Sequence, residues 1–347
     1  MQYKDKHLAW VGSVDKSPSC VAEAINTGLE ATGRLPAKSS EQWAVKLNLT
    51  YPTYLPGVVN APAFVEGFCQ WASDHSVRLI FVEGDGGNGS YSAQDTFDGN
   101  GISRIAKKYG MNCLSMSETP WEWRETHVDG KIVKLPYSPF FRCREFNRFV
   151  TTPLFKNHIF TTVTLGMKNL WGCIPDAYRM YYHYQLDHGI VALCKELKPD
   201  FSIFDGLVAM RGRGPVDGQP LDMNVVMVCN HVGAGESAAL ELMGISITEV
   251  RHLLIARNEG ILPNEPLTWL TNPERFTRDD FKIKRTFLNY LSIHLGKFPA
   301  LQKIVYHSLL SSAIYAFVNH LRGESAQTKL LKAKWAGKYQ VIDRKDS

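Results

Sequence analysis

Arg78-Leu79-Ile80-Phe81-Val82 runs directly into Glu83-Gly84-Asp85-Gly86-Gly87-Asn88-Gly89-Ser90. The first stretch reads as a strand covered on both faces, because its apolar run is almost continuous. The second reads as a glycine-rich turn at the strand's C-terminal end. Working outward, residues 61–75 predict a helix, with Pro62 near its start and Phe64, Val65, Phe68 and Trp71 on an apolar face. Residues 43–49 and 8–12 read as earlier strands, and residues 19–32 as the helix between them. Residues 101–109 predict a further helix and 113–115 a short strand. Strands alternating with helices give an α/β fold with a mostly parallel sheet flanked by helices.

That rhythm breaks at 119–150, which is charged and aromatic (Trp121, Trp123, Tyr137, Phe140, Phe141, Phe146) and reads as an insertion or hairpin lid. It resumes at 151–260. Strands are expected over 200–204, ending at Asp205-Gly206, and over 225–229, with a helix over 234–243. From 281 the pattern is helical, and residues 301–320 carry an apolar stripe. The chain therefore divides into an α/β core over 1–264 and a basic helical C-terminal extension over 265–347.

With 347 residues, 44% hydrophobic and 21% charged, there is ample apolar surface for a packed core, so wholesale disorder is excluded. No charge-free apolar run approaches the ~20 residues that span a bilayer, and no apolar leader follows Met1. The seven cysteines are scattered, with no CxxC pair, so neither a zinc ribbon nor a thiolate cluster is expected. A cytoplasmic protein with free thiols is the expectation. Net charge is +5, unevenly spread. Residues 281–347 hold 12 of the 39 Lys and Arg but 3 of the 34 Asp and Glu. Such a surface suits an acidic protein or a membrane surface. No nucleic-acid-binding signature appears, and a nucleic-acid partner is not expected.

Four segments carry chemistry. In Lys46-Leu47-Asn48-Leu49-Thr50, strand alternation puts Lys46, Asn48 and Thr50 on one face. A lysine there needs an anion or a carboxylate. In the loop at 83–90, Glu83 and Asp85 are candidate metal ligands, joined by Asp205 at the end of its strand. The densest segment runs from Lys156-Asn157-His158 through Thr164 to Lys168-Asn169, with His183 shortly after. Lys156, Thr164 and Asn169 are candidate substrate contacts. His158, Lys168 and His183 are candidate acid–base groups. In the fourth segment Arg211 and Arg213 flank glycines, and arginine favours planar oxyanions.

In order and spacing these segments resemble one family, the domain of unknown function 362. The resemblance rests on Val45–Leu49, on Val82-Glu83-Gly84-Asp85, on Lys156-Asn157-His158, and on Thr161 through Gly172. It continues through Lys198-Pro199-Asp200, Phe204-Asp205-Gly206 and Met210-Arg211-Gly212-Arg213-Gly214-Pro215, so it spans roughly residues 8–260. It implies an α/β domain. Many relatives also carry ferredoxin-like cysteine runs, which suggest redox chemistry. This chain has no such run, and no intrinsic iron–sulfur cluster is expected. Where relatives have an aspartate-rich turn this chain reads Asn230 to Glu236, so Glu236 stands in for an aspartate.

Three functions stay open. The first is an enzyme acting on a small carboxylate- or phosphate-bearing metabolite by acid–base or metal-assisted chemistry. The second is a redox enzyme using an external iron–sulfur protein or a bound cofactor. The third is a non-catalytic anion or cofactor binder. The motifs specify neither a cofactor, beyond a candidate divalent metal, nor an oligomeric state.

Overall fold

The computed structural model describes residues 6–283 and 285–307. In chain order the elements are β1 (Leu8–Ser13), α1 (Pro18–Ala31), β2 (Gln42–Lys46), α2 (Pro62–Asp74), β3 (Arg78–Glu83), α3 (Ala93–Gly99), α4 (Ile102–Tyr109) and β4 (Asn112–Ser115). There follow β5 (Glu122–Val128), β6 (Lys131–Tyr137), α5 (Pro139–Cys143), β7 (Arg148–Thr151), β8 (Leu154–His158), β9 (Thr162–Thr164), α6 (Gly166–Asn169) and α7 (Leu186–Leu197). The last are β10 (Phe201–Arg211), β11 (Gln219–Cys229), α8 (Val232–Leu242), α9 (Arg251–Asn258), β12 (Thr268–Trp269), α10 (Phe287–Leu295) and α11 (Pro299–His307).

The α/β expectation holds. A ten-stranded sheet, mostly parallel, runs β12-β1-β11-β10-β7-β2-β3-β4, with β8 and β9 attached to β10. The β10–β11, β11–β1 and β8–β9 pairs are antiparallel. Alternation along the strands sorts the core onto two faces. Trp43, Val45 and Phe81 pack with α1, α2 and α4. Ala44 and Val82 face α7, α8 and α9. Local signals agree with the boundaries: Ser17 caps α1 ahead of Pro18, and Gly110 closes α4 with a φ of 68°.

The chain runs outward from β2 to β3 and β4, then returns to place β7 on the other side of β2. Strand order thus reverses between β2 and β7. In open α/β sheets such a switch point opens a crevice at the strands' carboxyl ends. Lys46 and Thr151 stand there, paired across the two strands.

Two strand boundaries differ from expectation. β2 stops at Lys46 rather than Leu49, because the next amides serve side chains instead of the ladder. Asn48 N–H donates to Asn60 Oδ1 (2.6 Å) and Leu49 N–H to Glu83 Oε2 (3.0 Å). β10 does not end at Asp205-Gly206 but continues to Arg211, with a register shift between Gly206 and Val208. Asp205 is therefore a buried mid-strand residue. The 119–150 segment contains an antiparallel hairpin of β5 and β6 that buries Val128, Val133, Leu135 and Tyr137 against the α7 side of the core. The apolar stripe expected over 301–320 is described as α11 up to His307; its remainder lies outside the described residues.

Helices α1 and α2 touch where α2 carries Gly67. A Cβ there would stand 2.5 Å from the Pro18 carbonyl oxygen and 2.7 Å from Val21 Cβ. Gly67→Ala gains about 1 kcal/mol of helix propensity but forces the helices apart, an overpacking cost of roughly 1–3 kcal/mol. A lowered urea midpoint is the expected outcome, and an unchanged or raised midpoint would contradict this packing.

Candidate functional site

A connected polar network fills the switch point. Lys46 Nζ lies 2.7 Å from Glu83 Oε1 and 2.8 Å from Oε2, with both side chains almost wholly buried. Asn169 fastens this pair to the sheet. Its Nδ2 donates to Lys46 O and Thr151 Oγ1 (3.1 Å each), and its Oδ1 accepts from Asn48 Nδ2 (3.0 Å). Asn48 Oδ1 in turn accepts from Lys156 Nζ (2.9 Å), which also donates to Val58 O (2.8 Å). Asn60 continues the chain to Thr152 O and Asp205 Oδ2 (3.2 Å each). Asp205 also accepts from the amides of Ala61 (2.7 Å) and Leu207 (3.1 Å). Burial still pushes its carboxyl up to about 6, against these donors.

The carboxylates proposed as metal ligands do not converge. Glu83 faces Lys46, Asp205 holds backbone amides, and Asp85 caps α3 by accepting from Ala93 N–H (2.9 Å). Among the described residues no group of three or more His, Cys, Asp or Glu is arranged to hold a metal ion. Thr50 is exposed, its hydroxyl donating to Val58 O (3.2 Å).

The segment 166–173 divides this network from a second environment. Asn169 and Gly172 face the Lys46–Glu83 pair. A Cβ on Gly172 would come within 2.5 Å of Glu83 Oε1, so only glycine fits there. Lys168 and Trp171 belong to the other side, where Lys168 Nζ lies 5.6 Å from the Trp171 ring. Lys168 has no hydrogen-bond or ion-pair partner among the described residues. Burial, then Arg179 and Lys46, bring its ammonium down to about 7. Burial and the charges of Lys168 and Lys46 likewise bring Lys156 to about 7.

Around Lys168 stand His158, His183 and His252. Each is held low first by burial and then by the Lys168 charge, His183 and His252 to about 3. All three are therefore neutral at pH 7. His158 Nδ1 accepts from Phe160 N–H (3.1 Å) and Thr161 N–H (3.4 Å), which leaves the proton on Nε2. His183 lies 5.5 Å from Trp171 and 6.0 Å from Phe160, ring to ring. Several buried polar atoms here lack partners among the described residues: Arg179 Nη1, Trp171 Nε1, Thr164 Oγ1 and both ring nitrogens of His252. A cavity of about 430 Å³ adjoins, with His183 and Phe160 in its wall.

The structure thus groups Lys46, Asn48, Lys156 and Asn169 in one network, and His158, Lys168 and His183 beside it. Arg211 is instead spent on Asp280, and Arg213 is exposed on a loop that packs on the Asn157–Ile159 backbone. Arg179, His252, Trp171 and Asn60 are additions. Arg179 sits in an aromatic 3₁₀ segment and His252 on α9, and neither has a local pattern that marks it. Glu236, on α8, is buried against the start of α6, accepting from Met167 N–H (2.5 Å), and burial raises its carboxyl to about 8.

The model of the domain of unknown function DUF362 matches residues 44–241, and the chain belongs to this family. The matched region contains the whole network and Lys168, His158, His183 and Arg179, while His252 lies beyond it. A curated relative, the thylakoid-associated protein sll1697 of Synechocystis sp., is 25% identical over 148 residues, covering 40% of this chain and 46% of the relative. The matched portion is thus about half the length of that relative. No solved structure matches the chain.

Breaking the buried pair on one side leaves an uncompensated charge, which costs about 3–5 kcal/mol. Glu83→Gln and Lys46→Met should each lose stability on that scale in urea unfolding. The double variant should lose clearly less than the two singles together, because no lone charge remains. Additive losses would mean that the two side chains do not interact as described.

Proposed function

We propose that the protein binds a small carboxylate- or phosphate-bearing metabolite beside Lys168 and acts on it by acid–base chemistry. One observation carries this reading: Arg179 Nη1 and Trp171 Nε1 are buried donors without a partner among the described residues, and they stand beside the Lys168 ammonium, whose only described contact is the Trp171 ring. Buried polar groups are normally satisfied, and leaving one unpaired costs about 1–3 kcal/mol. No carboxylate offsets Lys168, whereas Lys46 has Glu83. An oxyanion would satisfy all three donors and supply the missing negative charge.

Binding would also change the proton chemistry. An anion favours the charged forms of Lys168, His158 and His183, opposing the burial and the neighbouring positive charges that hold them low. The histidines are thereby moved toward neutrality, where an acid–base group contributes typically ~10²–10⁴-fold in rate, while Lys168 is held as the charged ammonium. In this reading Lys168 and Arg179 hold the anion, and His183, with His158 behind Phe160, exchanges the proton.

Lys168→Met is expected to weaken binding of inorganic phosphate by about 10–100-fold in calorimetry, the scale of a charged hydrogen bond. The same change should leave the protein as stable or more so, since a desolvated charge is removed. Unaltered phosphate binding would rule the site out. Sulfate keeps its charge across neutrality, so its affinity reports the protein. Lys168 is charged below its value of about 7 and neutral above it, with Arg179, Lys46 and the three histidines as the neighbouring groups. Sulfate affinity should therefore fall as pH rises through about 7, shifted upward by the bound anion itself. A pH-independent affinity would remove Lys168 from the site.

A second reading concerns where the protein acts. From Phe281 to His307 there are five Lys or Arg and no Asp or Glu. On α10 and the turn after it Phe287 is 80% exposed, with Tyr290, Leu291 and Phe298 also exposed. Cations among exposed aromatic and aliphatic side chains suit the surface of an anionic bilayer. No described helix is long and apolar enough to cross a membrane. The thylakoid association in the description of the Synechocystis relative agrees with a surface-bound protein. The chain should sediment with vesicles containing anionic lipid and not with neutral ones. Phe287→Glu/Leu291→Glu should release it, and equal binding to both vesicle types would exclude this docking mode.

A further inference from the structure

The cavity of about 430 Å³ that shares His183 and Phe160 with the cationic site has two kinds of wall. One is polar and mainly basic, formed by Lys131, Arg251 and Lys297 around Asp187, which lies 3.7 Å from Arg251 Nε. The other is aliphatic, formed by Leu186 from the core and by Ile293, Leu295, Leu301 and Val305 from α10 and α11. Gln302 of α11 also lines the cavity and is buried, and its Oε1 lacks a partner among the described residues. A volume of this size is in the range of small-molecule sites. It far exceeds what phosphate or a short carboxylate would fill, at ~30 Å³ for each water-sized group.

We infer that the metabolite is an amphiphilic anion: an oxyanion head placed at Lys168 and Arg179 past His183, and an aliphatic body lying between the core and α10–α11. This rests on the anion-site reading above and adds the class of ligand. His183 and Phe160 stand where head and body would join, because the His183 ring lies against both Trp171 and Phe160, and His183 and Phe160 both line the cavity. α10 and α11 follow the residues matched by the family model. The family core would thus supply the head site and the C-terminal helices the specificity for a tail.

The test is calorimetric titration of the full chain with inorganic phosphate and then with n-alkyl phosphates of increasing length, kept below their micelle-forming concentrations. Each methylene buried should tighten binding by about threefold to fourfold until the cavity is filled. Ile293→Trp, which occupies the cavity, should flatten that dependence. Lys168→Met should weaken every member of the series. Affinity independent of chain length, with Lys168-dependent phosphate binding intact, would overturn the amphiphile and spare the anion site. Absence of any Lys168-dependent binding would overturn the anion site itself. A chain-length dependence that survives Lys168→Met undiminished would separate the cavity from the site and also overturn the inference. The wild-type series alone decides between the first outcome and the expected one, whether or not Ile293→Trp folds.

Discussion

Lys46 and Glu83 stand at the carboxyl ends of adjacent parallel strands, and the sheet buries them together. That pair is the constraint on which the polar core depends. Two charges inside a protein must meet with good geometry and have their remaining hydrogen-bonding capacity used. Asn169 and the Leu49 amide do this, and Gly172 makes room for the close approach. The same requirement ends β2 early and pins the 166–173 segment across the switch point. The chain's path there is set by where a buried charge pair can be satisfied.

The contrast across that segment organises the rest. On the Lys46 side nearly every donor and acceptor has a partner, and the network runs unbroken to Asp205. On the Lys168 side positive groups and N–H donors stand without partners, and three neutral histidines crowd round them. A fold gains nothing from desolvating Lys168 without a counter-charge, so the arrangement makes physical sense as a site prepared for one. Stability and binding pull in opposite directions there, as is common where a site is organised for a ligand.

Both environments meet in a region that the family model covers, while the cavity beyond His183 is closed by helices that follow it. A division in which the core provides the head-group chemistry and an appended segment provides the tail pocket fits ordinary domain logic. Function resides in the site, and loops and extensions vary what it accepts.

Much of the fold could be read directly. The apolar run at 78–82 and the helical spacing at 61–75 gave the α/β order, because strand and helix periodicity are local properties. Lys46 and Asn48 could be singled out because a polar residue in an apolar strand needs a partner, and Lys156, Lys168 and Asn169 because they fall in one dense polar segment. Asp205 was misplaced at a strand end because Asp-Gly reads locally as a turn. Its burial is decided by Ala61 and Asn60, more than a hundred residues earlier. Arg211, read as a contact for a substrate oxyanion, pairs instead with Asp280, 69 residues further along the chain. By itself, then, the sequence determined element order, the two-faced sheet and which polar residues would need company. Only the tertiary structure decided which of them found it, because charge compensation in a core depends on distances between strands and helices remote in the chain. That is why Lys46 is paired, Lys168 is not, and Arg179 and His252 belong beside it.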